Sequence, residues 1–335
     1  MFIKLKRIKK RGPIFLLLIV ALATFALLPQ LPIPLCGNAD YPIFQNKPKI
    51  SGGKIIFVSD TQEPIWIETF WLKKNRNIEA RNLICNEIVK ENPVAVVHLG
   101  DIVAFGYKET SWDPIDSCLY KLKRKGIRFY PTLGNHEEMI FSSTGEKKFS
   151  QRFPFFSKTG YTVKAGNIKI ILLNSNFSDM TKNEIDKQQH MYKDELKTAE
   201  HDTTINFVIV ATHYSPFTNS KIVSPSKKVQ EFFVPPFLKS KKAKLFLSGH
   251  AHAFEHFKHR GKDFLVIGGG GGLQQPLLTG IDERWKDFYD SKSSKRMFHF
   301  LQCATIEDTI IINVNMINKA FTGFYKTYEL KFPLK

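Results

Sequence analysis

Short apolar runs that end on polar residues recur along this chain, and they predict its strands. The runs are Ile55–Val58, Val94–Leu99, Phe129–Leu133, Phe207–Thr212 and Leu245–Leu247. Turn-forming residues bound each run, and apolar stretches of this kind are typical of strands that are buried on both faces. The pattern therefore predicts the strands of an α/β sheet.

Helical patterns and a strand-rich tail complete the predicted fold. Ile78–Lys90, Trp112–Lys125 and Glu184–Glu200 have the spacing of helices, whereas Val163–Leu173 has the pattern of a hairpin. The tail from Phe298 to Lys331 shows strand patterns only. Alternating strands and helices followed by strands indicate two mixed sheets packed face to face with helices outside, a four-layer α-β-β-α sandwich.

Residues 1–36 have a different pattern, in which basic residues precede the apolar run Ile14–Leu28. With the apolar residues that follow, this run approaches the ~20 residues that span a bilayer. Two outcomes stay open: cleavage of a signal peptide after Ala39, which would give a secreted protein, and retention as a membrane anchor. Residues 37–53 are predicted to be a linker, and residues 54–335 a single domain on the extracytoplasmic side.

The composition is that of a packed and basic globular protein. Of the 335 residues, 43% are hydrophobic, and the formal net charge is +18 at pH 7. A basic surface attracts anions such as phosphorylated substrates, anionic lipids or nucleic acids. Nucleic acid is not expected as a partner, because the sequence has no recognisable nucleic-acid-binding module and the domain is predicted to lie outside the cytoplasm.

The cysteines Cys36, Cys85, Cys118 and Cys303 show no C-x-x-C pairing and no zinc-ribbon spacing. An oxidising compartment would permit a bridge between Cys85 and Cys118, but the sequence alone does not establish it. Cysteine chemistry is therefore not the predicted function.

Polar residues that can bind metals follow the predicted strands. They are Asp60, Asp101, Asn135, His136, His213, His250 and His252. In α/β sheets, ligands collect beyond the carboxyl ends of the strands, so we expect these side chains to converge at one edge. A set of oxygen and nitrogen donors without thiols favours Mg, Mn, Fe, Zn or Co over a structural zinc site.

In their order and spacing, these motifs resemble the calcineurin-like metallophosphoesterase superfamily. The stretch Gly249–Glu255 is especially similar to the purple acid phosphatase branch. The resemblance implies two divalent cations (Mn, Mg, Fe or Zn) that share the carboxylate of Asp101. It assigns to the first cation Asp60 and His252, and to the second Asn135, His213 and His250.

The resemblance also implies a reaction. A metal-bound hydroxide would attack phosphorus in line, with inversion and without a phosphoenzyme. Asp101 would take part as the bridging ligand, and His136 would donate to the leaving-group oxygen or stabilise the transition state. The expected activity of residues 54–335 is metal-dependent hydrolysis of phosphoric esters, as a phosphatase or a phosphodiesterase.

The first metal site departs from the family pattern. Many relatives have Asp-x-His in the first motif, where this chain has Asp60-Thr61-Gln62. Purple acid phosphatases instead have a tyrosine three residues after the bridging aspartate, where this chain has Ala104. Gln62 either supplies an amide oxygen to the metal or only hydrogen-bonds a metal-bound water, and both interpretations stay open.

The expected substrate is a phosphorylated small molecule, lipid or glycan. The aromatic loop Gln62–Arg76 and the basic surface favour a lipid- or glycan-linked phosphate near a membrane. The alternative function is a membrane-tethered binding protein that keeps the fold but has lost turnover through a weakened first metal site. The sequence predicts no oligomeric state.

Overall fold

The computed structural model describes residues 41–289, 291 and 293–334. The basic and apolar segment predicted at residues 1–36 lies outside these described residues, as do residues 37–40. Among the residues that are described, no helix is both long enough and apolar enough to cross a membrane.

The described residues form short strands and helices that alternate over most of the chain. The strands are β1 (Lys49–Ile50), β2 (Ile55–Val58), β3 (Ala95–His98), β4 (Arg128–Pro131), β5 (Tyr161–Ala165), β6 (Ile168–Leu172), β7 (Phe207–Thr212), β8 (Ala243–Ser248), β9 (Phe254–His259), β10 (Lys262–Ile267), β11 (His299–Ile306), β12 (Thr309–Ile317) and β13 (Phe324–Pro333). The helices are α1 (Asn77–Glu91), α2 (Glu109–Arg124), α3 (Asn135–Glu138), α4 (Ser142–Arg152), α5 (Lys182–His201), α6 (Lys227–Phe232) and α7 (Val234–Lys239). Short 3₁₀ turns lie at Trp66–Phe70 and Gly280–Asp282.

The strands form two mixed sheets. The order of the first sheet is β13-β12-β11-β2-β3-β4, and that of the second is β1-β5-β6-β7-β8-β10-β9. In the first sheet β2, β3 and β4 run parallel, and in the second β6, β7 and β8 run parallel. Residues that follow these parallel strands are therefore delivered to one edge of each sheet.

The sheets pack face to face, and helices cover their outer faces. One core cluster lies between the sheets and includes Phe57, Val97, Leu172 and Ile209. A second cluster joins the outer face of the first sheet to α1, α2 and α4. A third joins the outer face of the second sheet to α5, α6 and α7. The prediction of two mixed sheets between helical layers is confirmed.

Part of residues 41–53, which the sequence suggested as a linker, is held on the domain by buried side chains, among them Phe44 and Ile50. Phe44 is only 3% exposed, and its ring centroid lies 5.9 Å from those of Phe129 and Phe153. β1 extends the second sheet by pairing with β5. The three core clusters and the strand pairings are formed within the described residues, so residues 41–335 contain their own core and are expected to fold alone.

A disulfide joins two helices on the outer face of the first sheet. Cys85 of α1 and Cys118 of α2 are bonded, with Cα atoms 6.1 Å apart, whereas Cys303 is a free and buried thiol. The bridge that the sequence left open is therefore present in the structure. It ties together the helices that follow β2 and β3.

Candidate metal centre

The predicted metal-binding residues converge where the parallel strands of both sheets end. Asp60, Asp101 and His252 form one group of donors, and Asp101, His213 and His250 form another. Within each group, the candidate ligand atoms lie within 4.8 Å of one another. Asp101 belongs to both groups, which is the position that a bridging ligand requires.

Strained backbone holds several of these residues at the strand ends. Asp60, Asp101 and His250 have φ angles of 62°, 54° and 66°, in the left-handed region that non-glycine residues rarely occupy. Each such conformation costs roughly 1–2 kcal/mol. Strain of this kind persists where the surrounding structure enforces it, and it clusters at functional sites. Here the left-handed turns aim three side chains off their strands into one site.

Glycines allow the surrounding loops to approach the donors closely. A Cβ atom on Gly134 would lie 2.2 Å from Oδ1 of Asp101, and one on Gly272 would lie 2.6 Å from Cε1 of His252. The N–H of Gly272 also donates to the carbonyl oxygen of Asp60 at 2.9 Å. The backbone of the glycine run Gly268–Gly272 therefore lies against the candidate ligands. Side chains at these positions would prevent so close an approach.

In the second group, imidazoles face the oxygens of Asn135 and Asp101. Nδ1 of His213 donates to the carbonyl oxygen of Leu99 at 2.9 Å, which fixes the orientation of the ring. Nε2 of His213 then lies 3.1 Å from Oδ1 of Asn135 and 3.3 Å from Oδ2 of Asp101. The ring of His250 lies 5.1 Å from that of His213, between centroids. These mixed nitrogen and oxygen donors suit a divalent cation.

In the first group, an amide takes the place that histidine has in many relatives. Nδ1 of His252 donates to the carbonyl oxygen of Leu273 at 2.8 Å, and Nε2 lies 3.3 Å from Oδ1 of Asp60. The Gln62 amide is satisfied when Nε2 donates to the backbone oxygens of Asp60 and Asp101, at 3.2 and 3.1 Å. Oε1 of Gln62 then faces Nε2 of His252 at 3.1 Å. This orientation presents an amide oxygen to the site.

The electrostatics of the site favour bound cations. Burial acts to raise the pKa of Asp101, but neighbouring histidines, His213 first among them, hold that pKa well below its usual range. Burial acts to lower the pKa of His213, but the charge of Asp101 raises it to about 9. Burial lowers the pKa of His250 to about 3, so its imidazole is neutral and can act as a ligand. Buried carboxylates among imidazoles attract positive charge, and this donor set fits two divalent cations.

His136 lies beside the candidate bridging carboxylate without belonging to either group of donors. Its Nδ1 donates to the carbonyl oxygen of Ala104 at 2.9 Å, and its Nε2 lies 3.9 Å from Oδ2 of Asp101. The residue is 5% exposed, so its ring is held firmly. Nε2 is therefore placed to hydrogen-bond an ester bound at the site.

Glu137 had no predicted role, although it organises the backbone of the site. Its Oε2 accepts from the N–H groups of Asp101 and Gly134, at 2.9 and 2.7 Å, and its Oε1 accepts from that of Ile102 at 2.7 Å. The carboxylate thus ties the loop after β3 to the loop after β4. Its place directly after His136 in the motif was the one signal in the sequence.

Tyr214 is a second residue at the site for which the sequence predicted no role. Its ring packs edge to face on His250, with 4.4 Å between centroids. Burial raises the pKa of the Tyr214 hydroxyl well above its usual range, so the side chain stays neutral. Its position directly after His213 was the only indication that it would form a wall of the site.

The fold and the two donor groups that share one carboxylate define a metallophosphoesterase. The family model for calcineurin-like phosphoesterase matches residues 53–254, which is more than half of the chain. This chain belongs to the calcineurin-like phosphoesterase family. It is therefore a hydrolase of phosphoric esters by class, with two divalent metals as the cofactors of the family.

Solved structures with this fold include proteins from a plant, a parasite and a fish. Purple acid phosphatase PPD1 from yellow lupin (Lupinus luteus) has a TM-score of 0.60 at 14% identity, over 85% of this chain and 54% of the lupin chain. GAP50, the anchor in the inner membrane complex of Plasmodium, has a TM-score of 0.58 at 16% identity, over 84% of this chain and 89% of its own. A dimetal phosphatase from Danio rerio has a TM-score of 0.54 at 16% identity, over 88% of this chain and 100% of its own.

Identities this low show a shared fold. This chain spans about half the length of the lupin enzyme, with 54% of that protein covered. No curated protein sequence matches this chain.

Proposed function

We propose that this chain hydrolyses phosphoric monoesters or diesters on the extracytoplasmic side of a membrane. The observation that carries the proposal is the position of Asp101. Its carboxylate belongs to both donor groups and lies 3.9 Å from Nε2 of His136. A bridging ligand beside a proton donor suits hydrolysis at phosphorus.

The proposed ligands divide into two sets that share one residue. They are Asp60, Gln62, Asp101 and His252 for the first cation, and Asp101, Asn135, His213 and His250 for the second. When bound, the cations supply Lewis-acid stabilisation of the phosphoryl oxygens and lower the pKa of the attacking water. Because Gln62 and Asn135 add oxygen donors without charge, the loaded site keeps a net positive charge toward an anionic ester. The amide oxygen of Gln62 suits Mg or Mn better than Zn.

Side chains of the chain itself bind and orient the ester. Nδ1–H of His136 donates to the carbonyl oxygen of Ala104, which leaves Nε2 facing the ester. In its imidazolium form His136 carries a second proton at Nε2, and that proton can pass to the leaving-group oxygen while Nδ1 keeps its own. Glu137 fixes the loop that carries Asp101, so the carboxylate does not need to reorganise during the reaction. Tyr214 packs edge to face on His250 and supports that ring at the wall of the site.

The location and substrate class are supported by features outside the metal centre. The disulfide between Cys85 and Cys118 fits an oxidising compartment, as does the apolar segment predicted at residues 14–28. The net charge of +18 favours anionic substrates. We therefore infer a phosphorylated small molecule, lipid or glycan as the substrate.

The test is hydrolysis of an aryl phosphate by purified residues 41–335 with Mn or Mg. We expect turnover that EDTA abolishes and that added metal restores. Asp101→Asn should remove activity and lower the metal content, because the amide is a poor bridge. Asp186→Asn, at an exposed position of α5, is the matched control and should behave as the native protein.

Metal stoichiometry separates the proposal from a tethered binding protein without turnover. Two metals per chain support the hydrolase. One metal or none, with no hydrolysis of mono- or diesters, would support the binding protein, since Gln62 and Ala104 stand where relatives have stronger ligands. Gln62→Ala should cost one metal if its amide oxygen is a ligand, whereas Gln62→His should restore tighter binding of the first metal.

A further inference from the structure

Large apolar side chains are exposed on two loops at the edge of the molecule that holds the metal centre. We call this set the apolar rim. Its members and their exposed fractions are Trp66 (59%), Phe70 (72%), Trp71 (60%), Ile140 (44%) and Phe141 (41%). The ring of Phe70 contacts those of Trp66 and Trp71, and exposed apolar clusters often mark a surface that binds something.

The first loop of the rim lies close to the first metal group. Its 3₁₀ turn, Trp66–Phe70, begins shortly after Gln62, whose amide lies beside His252. Glu68, on the inner side of this turn, acts electrostatically on His252. The aromatic residues of the same turn are exposed. One side of the turn therefore faces the site while the other faces solvent.

The second loop of the rim follows α3, the short helix that carries His136. Ile140 has a φ angle of 69°, which is a strained conformation for a β-branched residue. Phe141 packs edge to face on Tyr107, with 4.9 Å between ring centroids. Both apolar side chains of this loop are exposed, shortly after the helix that carries His136.

Unpaired positive charge lies beside the aromatic turn. Lys73 and Lys74 are exposed, and neither forms an ion pair among the described residues. Nearby acidic groups are already engaged: Glu63 pairs with Arg81 at 3.2 Å, and Glu68 accepts from the N–H of Ile65 at 3.0 Å. Glu68 keeps its negative charge on the side of the turn toward His252, whereas Lys73 and Lys74 supply two exposed positive charges beside the rim.

The described chain begins on the same side of the molecule. Tyr41 packs on Arg152, whose Cζ lies 4.7 Å from the ring centroid. Arg152 pairs with Glu109, the first residue of α2, and α2 follows the carboxyl end of β3.

We propose that the apolar rim inserts into the surface of an anionic bilayer, with Lys73 and Lys74 at the headgroups. Aromatic residues next to lysines are typical of membrane interfaces, where rings enter the headgroup region and cations bind anionic lipid. The rings of Trp66, Phe70 and Trp71 meet at 77° and 70°, so they form a wedge rather than the flat platform that stacks on a sugar ring. Docking in this orientation turns the metal centre toward the bilayer.

Tryptophan fluorescence of residues 41–335 tests the proposal directly. Trp66 and Trp71 are exposed, whereas Trp112 is fully buried and Trp285 is partly buried. Vesicles of phosphatidylcholine with phosphatidylglycerol should shift the emission to the blue, and brominated acyl chains should quench it. Both signals should be lost in Trp66→Phe/Trp71→Phe, which keeps the aromatic surface but removes the reporters.

Variants of the rim and of the lysines measure its contribution to binding. Trp66→Ala/Phe70→Ala/Trp71→Ala should bind anionic vesicles at least about tenfold more weakly. Lys73→Glu/Lys74→Glu should do the same for anionic vesicles only, because lysines beside a bilayer are attracted to anionic headgroups and glutamates are repelled by them. The matched control is Ile306→Ala/Tyr325→Ala, which removes exposed apolar side chains from β11 and β13 and should bind as the native protein does.

Vesicle binding is measured without substrate or metal, so failure here is distinct from failure of the proposed hydrolase activity. Equal binding by the native protein and the triple alanine variant would overturn the proposal, as would an emission spectrum that vesicles do not change. Quenching by a soluble oligosaccharide in place of vesicles would show that the rim binds glycans instead. Circular dichroism confirms that each variant is folded.

Discussion

At the scale of single residues, Asp101 shows how a ligand type can be predicted while its geometry cannot. Its carboxylate identity and its place after a strand are visible in the sequence. Its φ angle of 54° is not visible there, and neither are its two hydrogen bonds. In one, the N–H of Asp101 donates to Glu137, and in the other the N–H of His136 donates to Oδ1 of Asp101. These features arise because the loops after β3 and β4 meet in space, which local pattern does not encode.

The role proposed for His136 leads to a test on a single side chain. His136→Ala should lower turnover of an aryl phosphate by ~10²–10⁴, because the leaving group loses its proton donor. Metal content should stay at two per chain, since His136 is outside both donor groups. Steady-state kinetics and metal analysis check both parts. His190→Ala, at an exposed position of α5, is the control, and full activity of His136→Ala would disprove the assignment.

Glu138 is a buried carboxyl group whose ionisation is costly. Burial raises its pKa to about 8, although Asn176 donates to Oε2 at 2.5 Å and lowers it in part. The folded state therefore keeps a proton that the unfolded chain releases near pH 4.5. Stability from this group is fully present below pH 4.5 and is lost as the pH rises through about 8.

The pH dependence of unfolding tests this carboxyl group. Between pH 5 and pH 8, the native protein should lose more unfolding free energy than Glu138→Gln, by on the order of 3 kcal/mol. The glutamine oxygen can still accept from Asn176, so the difference reports the lost proton. Urea unfolding across this pH range measures it. Glu231→Gln, exposed on α6, should follow the native curve, and parallel curves for Glu138→Gln would refute the expectation.

At the scale of elements, long helices were predictable and short ones were not. The predicted helix Ile78–Lys90 is observed as Asn77–Glu91, and Glu184–Glu200 as Lys182–His201. α6 and α7 were missed, because helices of six residues show little periodicity and depend on tertiary packing for their stability. The carboxyl ends of the strands were the best predicted features, since each apolar run stops at a ligand.

The disulfide between α1 and α2 is expected to stabilise the helical layer. Cys85→Ala/Cys118→Ala should lower the unfolding free energy by about 3–4 kcal/mol, the effect expected for a bridge that closes a loop of 33 residues. Chemical unfolding measures the loss. Reductant should destabilise the native protein by a similar amount and leave the double variant unchanged. A double variant as stable as the oxidised native protein would show that the bridge is dispensable.

At the scale of the whole molecule, Phe44 and β1 attach part of the predicted linker to the domain. Composition rich in proline, asparagine and glycine suggested a linker there, but Phe44 fills a space between Phe129 and Phe153. β1 then adds a strand to the second sheet. A fragment that begins at Lys54 would lack both features.

The contribution of this segment can be measured with neighbouring substitutions. Phe44→Ala should destabilise residues 41–335 by about 3–5 kcal/mol, because it empties a buried aromatic site. Ile43→Ala is the matched control, since Ile43 is 42% exposed and its loss should cost little. Thermal and urea unfolding compare them. Similar stability of the two variants would mean that the segment behaves as a tether.

The sequence by itself determined the class of fold, the strand ends and the types of the metal donors, because burial, turn formation and ligand chemistry depend on residue type and local order. Only the tertiary structure decided that Asp101 is shared by both donor groups, that the amide oxygen of Gln62 can turn to His252, and that Phe44 and Ile50 belong to the core. Each of these depends on distances between segments far apart in the chain. Such distances follow from the packing of the two sheets, which no local pattern specifies.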